Sequence, residues 1–309
     1  MESSKGNDIP AVATAGSFDG VHLGHQAVLK ELTDVARGEA MRPLAITFDR
    51  HPLEIVAPSR APHLLLSHDR QEQLIRRSGA DFLRLPFDAS TARMSAREWL
   101  RLLRERYGVK ALVVGYDNTF GHDGIDMSIA DYERLGEEEG ILVKEAPLVA
   151  GVSSSAIRRA VVTGDVEKAR EMLGRPYELE GSVIAGEALG RTLGYPTANL
   201  SPHPRRLVPA NGVYAASALT PDGKEYPAMV NIGRRPTVDD SGRRSIEAHI
   251  IGWEGDLYCR PLSIHFLSRI RDEKKFNSVE ALRTRLHEDA LISKKIFDDF
   301  RIEQPEQTL

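Results

Sequence analysis

The first half of the chain alternates short β-prone runs with helical patterns, and that alternation leaves few folds open. Ala11–Ala15 reads as a strand that runs into a glycine-rich loop. His25–Arg37 carries Ala27, Val28, Leu32, Val35 and Ala36 at helical spacing. Pro43–Phe48 is a second apolar strand, Asp69–Arg77 a helix, Asp81–Leu85 a strand and Ala96–Tyr107 a helix. Ala111–Gly115 is an apolar strand, Ser128–Glu139 a helix and Ile141–Lys144 a last strand. Strands that alternate with helices imply right-handed parallel βαβ units. A doubly wound parallel sheet holds its ligands at the carboxyl ends of its strands. The loops Gly16–Gly24 and Gly115–Gly124 both follow strands, so both belong to that edge.

The texture changes after about residue 178. Glu180–Ala185, Gly212–Leu219, Ala228–Ile232, Ser245–Ile251 and Leu262–Leu267 are short β-prone segments. Pro221-Asp222-Gly223 and Asp239-Asp240-Ser241-Gly242 punctuate them as turns. No helical pattern interrupts until Ser278–His287. Strands followed by a helix predict a small antiparallel β-barrel closed by a C-terminal helix. Ser153–Leu173 reads as a helical segment ending near Gly174–Tyr177, so the domains are expected at 1–176 and 177–309. A length of 309 residues accommodates both.

Composition narrows the function classes. The formal charge of −4 carries no general electrostatic grip on nucleic acid. No window approaches the ~18 consecutive apolar residues of a spanning helix. The N-terminal residues are polar and lack the apolar core of a secretory signal. The single cysteine, Cys259, rules out an internal disulfide and fits a reducing, cytoplasmic setting.

Residues 16–26, GSFDGVHLGHQ, place Gly16, Phe18, Asp19, Gly20 and Gly24 around His22 and His25 at the mouth of a helix. Glycines let the backbone approach a phosphate chain, and the free N–H groups of a helix start favour anions. Two imidazoles three residues apart can both face a triphosphate and stabilise charge as the α-phosphate is attacked. Positioning and charge stabilisation suffice for such a transfer without a covalent intermediate. A plain turn with two surface histidines shares the short pattern. A metal pair would lack a clear third ligand.

The HxGH loop resembles that of the nucleotidyltransferase superfamily. Its full form is similar to the N-terminal half of bacterial bifunctional riboflavin kinase/FAD synthetases. Residues Thr47 to Pro52, TFDRHP, resemble the family's T-F-D-P-H-P, with Arg50 in place of proline. Val114 to Gly121 resemble V-G-x-D-F-x-F-G, with Asn118 at the aromatic position. Val152 to Arg158 resemble I-S-S-T-x-I-R, with Ser155 for threonine. The resemblance implies that Ser153, Ser154, Ser155 and Arg158 bind the nucleotide phosphates. It places Asp117 and Asn118 beside the flavin.

A second constellation lies between predicted strands. Gly186, Gly190 and Gly194 can form a phosphate-embracing loop with Arg191 nearby. Thr197 and Asn199, two apart on an extended segment, point to one side. Such hard oxygens suit a magnesium ion that keeps several waters and shares nucleotide phosphates. The stretch resembles the riboflavin kinase signature G-x-x-x-G-R-x-x-G-[FY]-P-T-A-N. Pro209–Tyr214, Asn231–Thr237, Ser245–Ile250 and Arg269–Phe276 resemble further kinase motifs in the family's order.

By pattern alone, Glu247 is a polar residue on the outer face of a barrel strand, with Ile246 and Ala248 facing in. The resemblance makes it the general base for the ribityl hydroxyl and gives Arg271 a place near the flavin. His249 shares the face of Glu247 and reads as structural. The implied activity is sequential: riboflavin is phosphorylated to FMN with MgATP, then FMN is adenylylated to FAD with release of pyrophosphate. The departures at Arg50 and Asn118 leave open a kinase with a weakened first domain. A flavin-binding regulatory module without turnover is the other alternative. No membrane or nucleic-acid partner is expected.

Overall fold

A computed structural model describes residues 9–116, 119–186, 189–234 and 244–303. Packing divides the chain into two units: Met1–His63 with Ser67–Ser153, and Leu64–Leu66 with Ser154–Leu309.

The first unit holds strands β1 (Ala11–Ala15), β2 (Arg42–Phe48), β3 (Asp81–Leu85), β4 (Val109–Val114) and β5 (Leu142–Glu145). They form one parallel sheet in the order β3-β2-β1-β4-β5. Helices α1 (Leu23–Gly38), α2 (Leu53–Val56), α3 (His68–Arg77), α4 (Ala96–Tyr107) and α5 (Ile129–Glu139) connect them. The order reverses direction at β1, between β2 and β4, which makes the end of β1 the switch point of a doubly wound sheet. The central strand is buried over its whole length, as its apolar run requires.

Helix ends in this unit follow local chemistry. Ser95 and Ser128 each close a capping box, with Glu98 and Asp131. Gly108 and Gly140 end α4 and α5 in left-handed geometry. Glu139, with 4% of its side chain accessible, collects three arginines from α4. Arg97 Nη1 is 2.7 Å away, Arg101 Nε 2.9 Å and Arg104 Nη1 3.5 Å.

The second unit is a closed barrel in the order β10-β7-β6-β11-β8-β9. Its strands are β6 (Tyr177–Ile184), β7 (Ala198–Pro202), β8 (Gly212–Leu219), β9 (Glu225–Arg234), β10 (Arg244–Ile250) and β11 (Pro261–Arg271). All the barrel pairings are antiparallel. Tyr177, Tyr214 and Phe266 are fully buried in it, with Ile232, Ile246 and Ala248 also buried. Helix α9 (Val279–Glu303) follows β11.

Two helix boundaries differ from expectation. The segment 153–173 is two helices, α6 (Ser154–Thr163) and α7 (Val166–Leu173). Gly164, at φ +83°, ends the first, and the Asp165 side chain accepts the Lys168 N–H at 3.0 Å to cap the second. Both pack with the barrel unit. Helix α9 runs sixteen residues past His287, because Asp289, Ser293, Phe297 and Phe300 continue one buried stripe. Between β6 and β7 lies the single turn α8 (Leu189–Thr192).

The barrel unit also includes three residues from within the first half. The Leu64 N–H donates to the Arg205 carbonyl at 2.7 Å, and the Leu207 N–H donates to the Leu64 carbonyl at 3.0 Å. The buried Arg206 guanidinium donates to the carbonyls of Leu65 at 3.0 Å and Glu178 at 2.6 Å.

Candidate active sites

In the first unit the loop from Gly16 to Gln26 leaves the end of β1. The Gly16 N–H donates to the Ile46 carbonyl at 3.0 Å, and Gln71 Nε2 donates to the Ser17 carbonyl at 2.7 Å. The backbone is strained where it turns. Phe18 (φ +44°) and the β-branched Val21 (φ +37°) both lie in the left-handed region, with Gly20 at φ +93°. Strain of this kind costs about 1–3 kcal/mol per residue and concentrates at functional sites. Phe18, Asp19, Val21 and His22 are nonetheless buried, so packing holds the loop in place.

His22 caps α1. Its Nδ1 accepts the His25 N–H at 3.3 Å, which leaves the ring hydrogen on Nε2. The two imidazoles stack with centroids 3.7 Å apart and planes at 16°. The Phe18 ring meets His25 edge-on at 5.2 Å. A side chain at Gly24 would begin 3.2 Å from the His22 ring, so glycine is what lets the pair stack. There is no acidic side chain in the first turn of α1, so the helix start stays hospitable to anions.

Position 24 also lies near Val152, beside Ser153 in the same unit. Ser154, Ser155 and Arg158 begin α6 and fall in the second unit. Asp117 and Asn118 lie outside the described residues. Phe120, from the same motif, stacks on Tyr132 at 4.3 Å.

In the second unit the site is built on the outer face of the barrel. Ile246, Ala248 and Ile250 are buried while Glu247 and His249 alternate with them. Glu247 stands directly opposite Asn199 on β7 and opposite Asn231 on β9. Glu247 and Asn231 line a pocket of about 670 Å³ together with Thr197, Gly190, Tyr195 and Arg271. Helix α9 contributes Val279, Leu282, Leu286 and Asp289. A second cavity of about 540 Å³ contains Thr197 as well, beside Pro196, Trp253 and Tyr258.

Glycines shape this site by close approach. A Cβ at Gly186 would lie 2.0 Å from Asn199 Nδ2, so the amide occupies the space a side chain would need. At Gly190 it would meet the Tyr195 carbonyl at 2.3 Å. Gly194 turns at φ +85°. The side chain of Arg191 falls outside the described residues. Among the described residues no group of three His, Cys, Asp or Glu could hold a metal. Thr197 and Asn199 each carry a hard side-chain oxygen, the donor type that suits magnesium.

Arg271 lines the pocket, but its guanidinium is already engaged. Nε and Nη2 donate to Asp289 Oδ2 at 2.9 and 2.7 Å, and Nη1 donates to the Asp272 carbonyl at 2.9 Å. Asp289 is fully buried and also pairs with Arg285 at 3.0 Å. Arg271 therefore braces β11 against α9 at the pocket edge. His249 Nδ1 donates to the Pro196 carbonyl at 2.9 Å. Burial lowers its pKa, with the Pro196 bond opposing, which keeps the ring neutral near pH 7. Sequence reasoning assigned no role to Asn231 or Asp289. The register opposite Glu247 exposes the first, and a carboxylate on the buried stripe of α9 the second.

Two family models match the two halves of the chain. The family model for FAD synthetase matches residues 4–158, and that for riboflavin kinase matches residues 173–297. A bifunctional riboflavin kinase/FMN adenylyltransferase from Pseudomonas fluorescens is 37% identical, covering 92% of this chain and 92% of its own. One from Escherichia coli K12 is 33% identical, covering 93% and 92%. A solved structure from Streptococcus pneumoniae, described as a macrolide-efflux protein, matches with a TM-score of 0.84 at 31% identity. It covers 93% of this chain and 95% of its own. No helix among the described residues is long and apolar enough to cross a membrane.

Fold and matches together define a two-domain transferase. The chain belongs to the bifunctional riboflavin kinase/FMN adenylyltransferase family.

Proposed function

We propose that the chain makes both flavin cofactors in succession. The kinase half phosphorylates riboflavin to FMN with ATP, and the other half moves AMP from a second ATP onto FMN, yielding FAD and pyrophosphate. The functional division falls at 176/177, with residues 1–176 carrying adenylyl transfer and 177–309 carrying phosphoryl transfer.

The observation that carries the kinase assignment is Glu247 set between two amides and facing a pocket large enough for a flavin. Glu247 accepts the proton from the terminal ribityl hydroxyl as that oxygen attacks the γ-phosphate. Two substrates must meet at that phosphate. Thr197 lines both cavities, so riboflavin takes the larger one and the nucleotide the one beside Trp253 and Tyr258. Thr197 and Asn199 would hold magnesium, which would offset charge on the phosphates. Gly186, Gly190, Arg191 and Gly194 form the loop around those phosphates, and Arg271 keeps the flavin-side segment in place.

For adenylyl transfer, the amides of the Gly16–Gly24 loop and the start of α1 receive the triphosphate. His22 and His25 stabilise charge on the α-phosphate, with no covalent intermediate. Ser153, Ser154, Ser155 and Arg158 are assigned to the phosphates, and Asp117 and Asn118 to the flavin, through their match to the family motifs.

The test is to incubate the purified chain with riboflavin and MgATP and follow FMN and FAD by chromatography. Both products are expected in sequence. Absence of both overturns the reading, and conversion that halts at FMN reduces it to a kinase.

A further inference from the structure

Tyr195 is held at three points. Its N–H donates to the Gly190 carbonyl at 2.8 Å. Its ring meets the edge of His249, centroids 5.3 Å apart at 73°. Its hydroxyl meets His287 Nδ1 on α9 at 3.3 Å. The residues that follow are Pro196, whose carbonyl is bound by His249, and Thr197. One side chain thus links the glycine-bearing segment, the strand that carries Glu247, and the C-terminal helix.

The link spans the larger pocket. Tyr195 and Leu193 line it from the glycine-bearing segment, and Leu282 and Leu286 line it from α9. Without a tie, a segment containing Gly190 and the left-handed Gly194 has many alternative conformations. Only a wall held in register with α9 presents a slot for a planar ring. A binding-competent state that is populated part of the time weakens apparent affinity in proportion.

We propose that the Tyr195 hydroxyl and His287 form a latch that holds the flavin pocket closed around riboflavin. Tyr195 and His287 are positioning residues. They act on substrate retention and leave the phosphate-holding pair and the base untouched. The latch rests on the kinase reading given above. The experiment therefore begins with wild-type chain, where failure to form any FMN would count against that reading and not against the latch.

The test is a double-mutant cycle on the full chain with Tyr195→Phe, His287→Ala and both together. Phenylalanine keeps the ring on His249 and removes only the hydroxyl, and His287 is exposed, so both variants fold. Each single change is expected to raise the riboflavin KM about 3- to 10-fold, the range of one hydrogen bond, with kcat within about twofold. Riboflavin dissociation constants from flavin fluorescence should move by the same factor. The double variant should be no worse than the weaker single, and His287→Gln, which retains an acceptor, should restore most of the affinity. Effects that multiply, singles that leave KM unmoved, or a fall in kcat at constant KM would each overturn the latch.

Discussion

Glu247 stands directly across from Asn199, and a Cβ at Gly186 would run into that same amide. A carboxylate, an amide and a glycine are therefore one packed unit and not three independent motif positions. Cross-strand neighbours of this kind have Cβ atoms about 5 Å apart, close enough for one small ligand group to touch both side chains.

Glu247→Gln preserves this packing and removes the carboxylate proposed as the base. FMN formation from riboflavin is expected to fall about 10²- to 10⁴-fold. FAD formation from supplied FMN should continue at the wild-type rate. Loss of both reactions in a folded variant would refute the division of labour.

Gly186→Ala tests the glycine. Its backbone is outside the left-handed region, and the nearest atoms a Cβ would meet are those of the Asn199 amide. A displacement near 1 Å at a reacting centre costs about 10²-fold in rate. Kinase activity should drop by that order while adenylyl transfer is spared. Magnesium titration should show a raised requirement, because Asn199 is the group displaced.

In the first unit the two histidines separate by role. His25→Ala should stop FAD formation, by about 10²- to 10³-fold, and leave FMN formation intact. His22→Ala removes a helix cap as well, so it should also lower thermal stability by about 1 kcal/mol. Calorimetry on the two variants distinguishes them.

Glu139 is the main ionic tie between α4 and α5. Glu139→Ala removes the shared partner of three partly exposed arginines, but Arg97 keeps Glu138 and Arg104 keeps Glu105, so the loss is smaller than for a dry ion pair, about 2 kcal/mol. The first unit's melting temperature should drop by about 4–8 °C. The Arg101 hydrogen bond is the largest influence on the Glu139 carboxyl; with Arg97 it holds the pKa below 4.5, against the opposing effect of burial. The folded pKa is depressed, so this stabilisation is present above pH 4.5 and is lost as pH falls through the folded value. Glu139→Gln should flatten that acid dependence of the melting temperature.

Much of this was legible in the residues. Strand-helix alternation announced the parallel sheet, because both faces of β1 had to be apolar. Alternation at Ile246, Glu247 and Ala248 foretold which side of β10 faces out. The length of α9 was hidden because its buried stripe contains Asp289 and Ser293, which look like surface residues in sequence. Asp289 also explains Arg271. The family resemblance implied a place near the flavin for that arginine, but only the fold brings a buried carboxylate 18 residues away into contact with its guanidinium. The split between α6 and α7 was written in Gly164-Asp165, a left-handed stop followed by a cap.

The three residues Leu64–Leu66 belong to the barrel unit although more than a hundred residues separate them from β6. A kinase fragment cut at either boundary would lack them. The Leu207 amide would lose its acceptor, and the buried Arg206 guanidinium would lose one of its carbonyl partners. In genetic terms the packing of the barrel unit is not encoded by one contiguous stretch. A chimera that grafts this barrel onto a foreign first half inherits an incomplete part unless the donor loop carries a matching three-residue clasp.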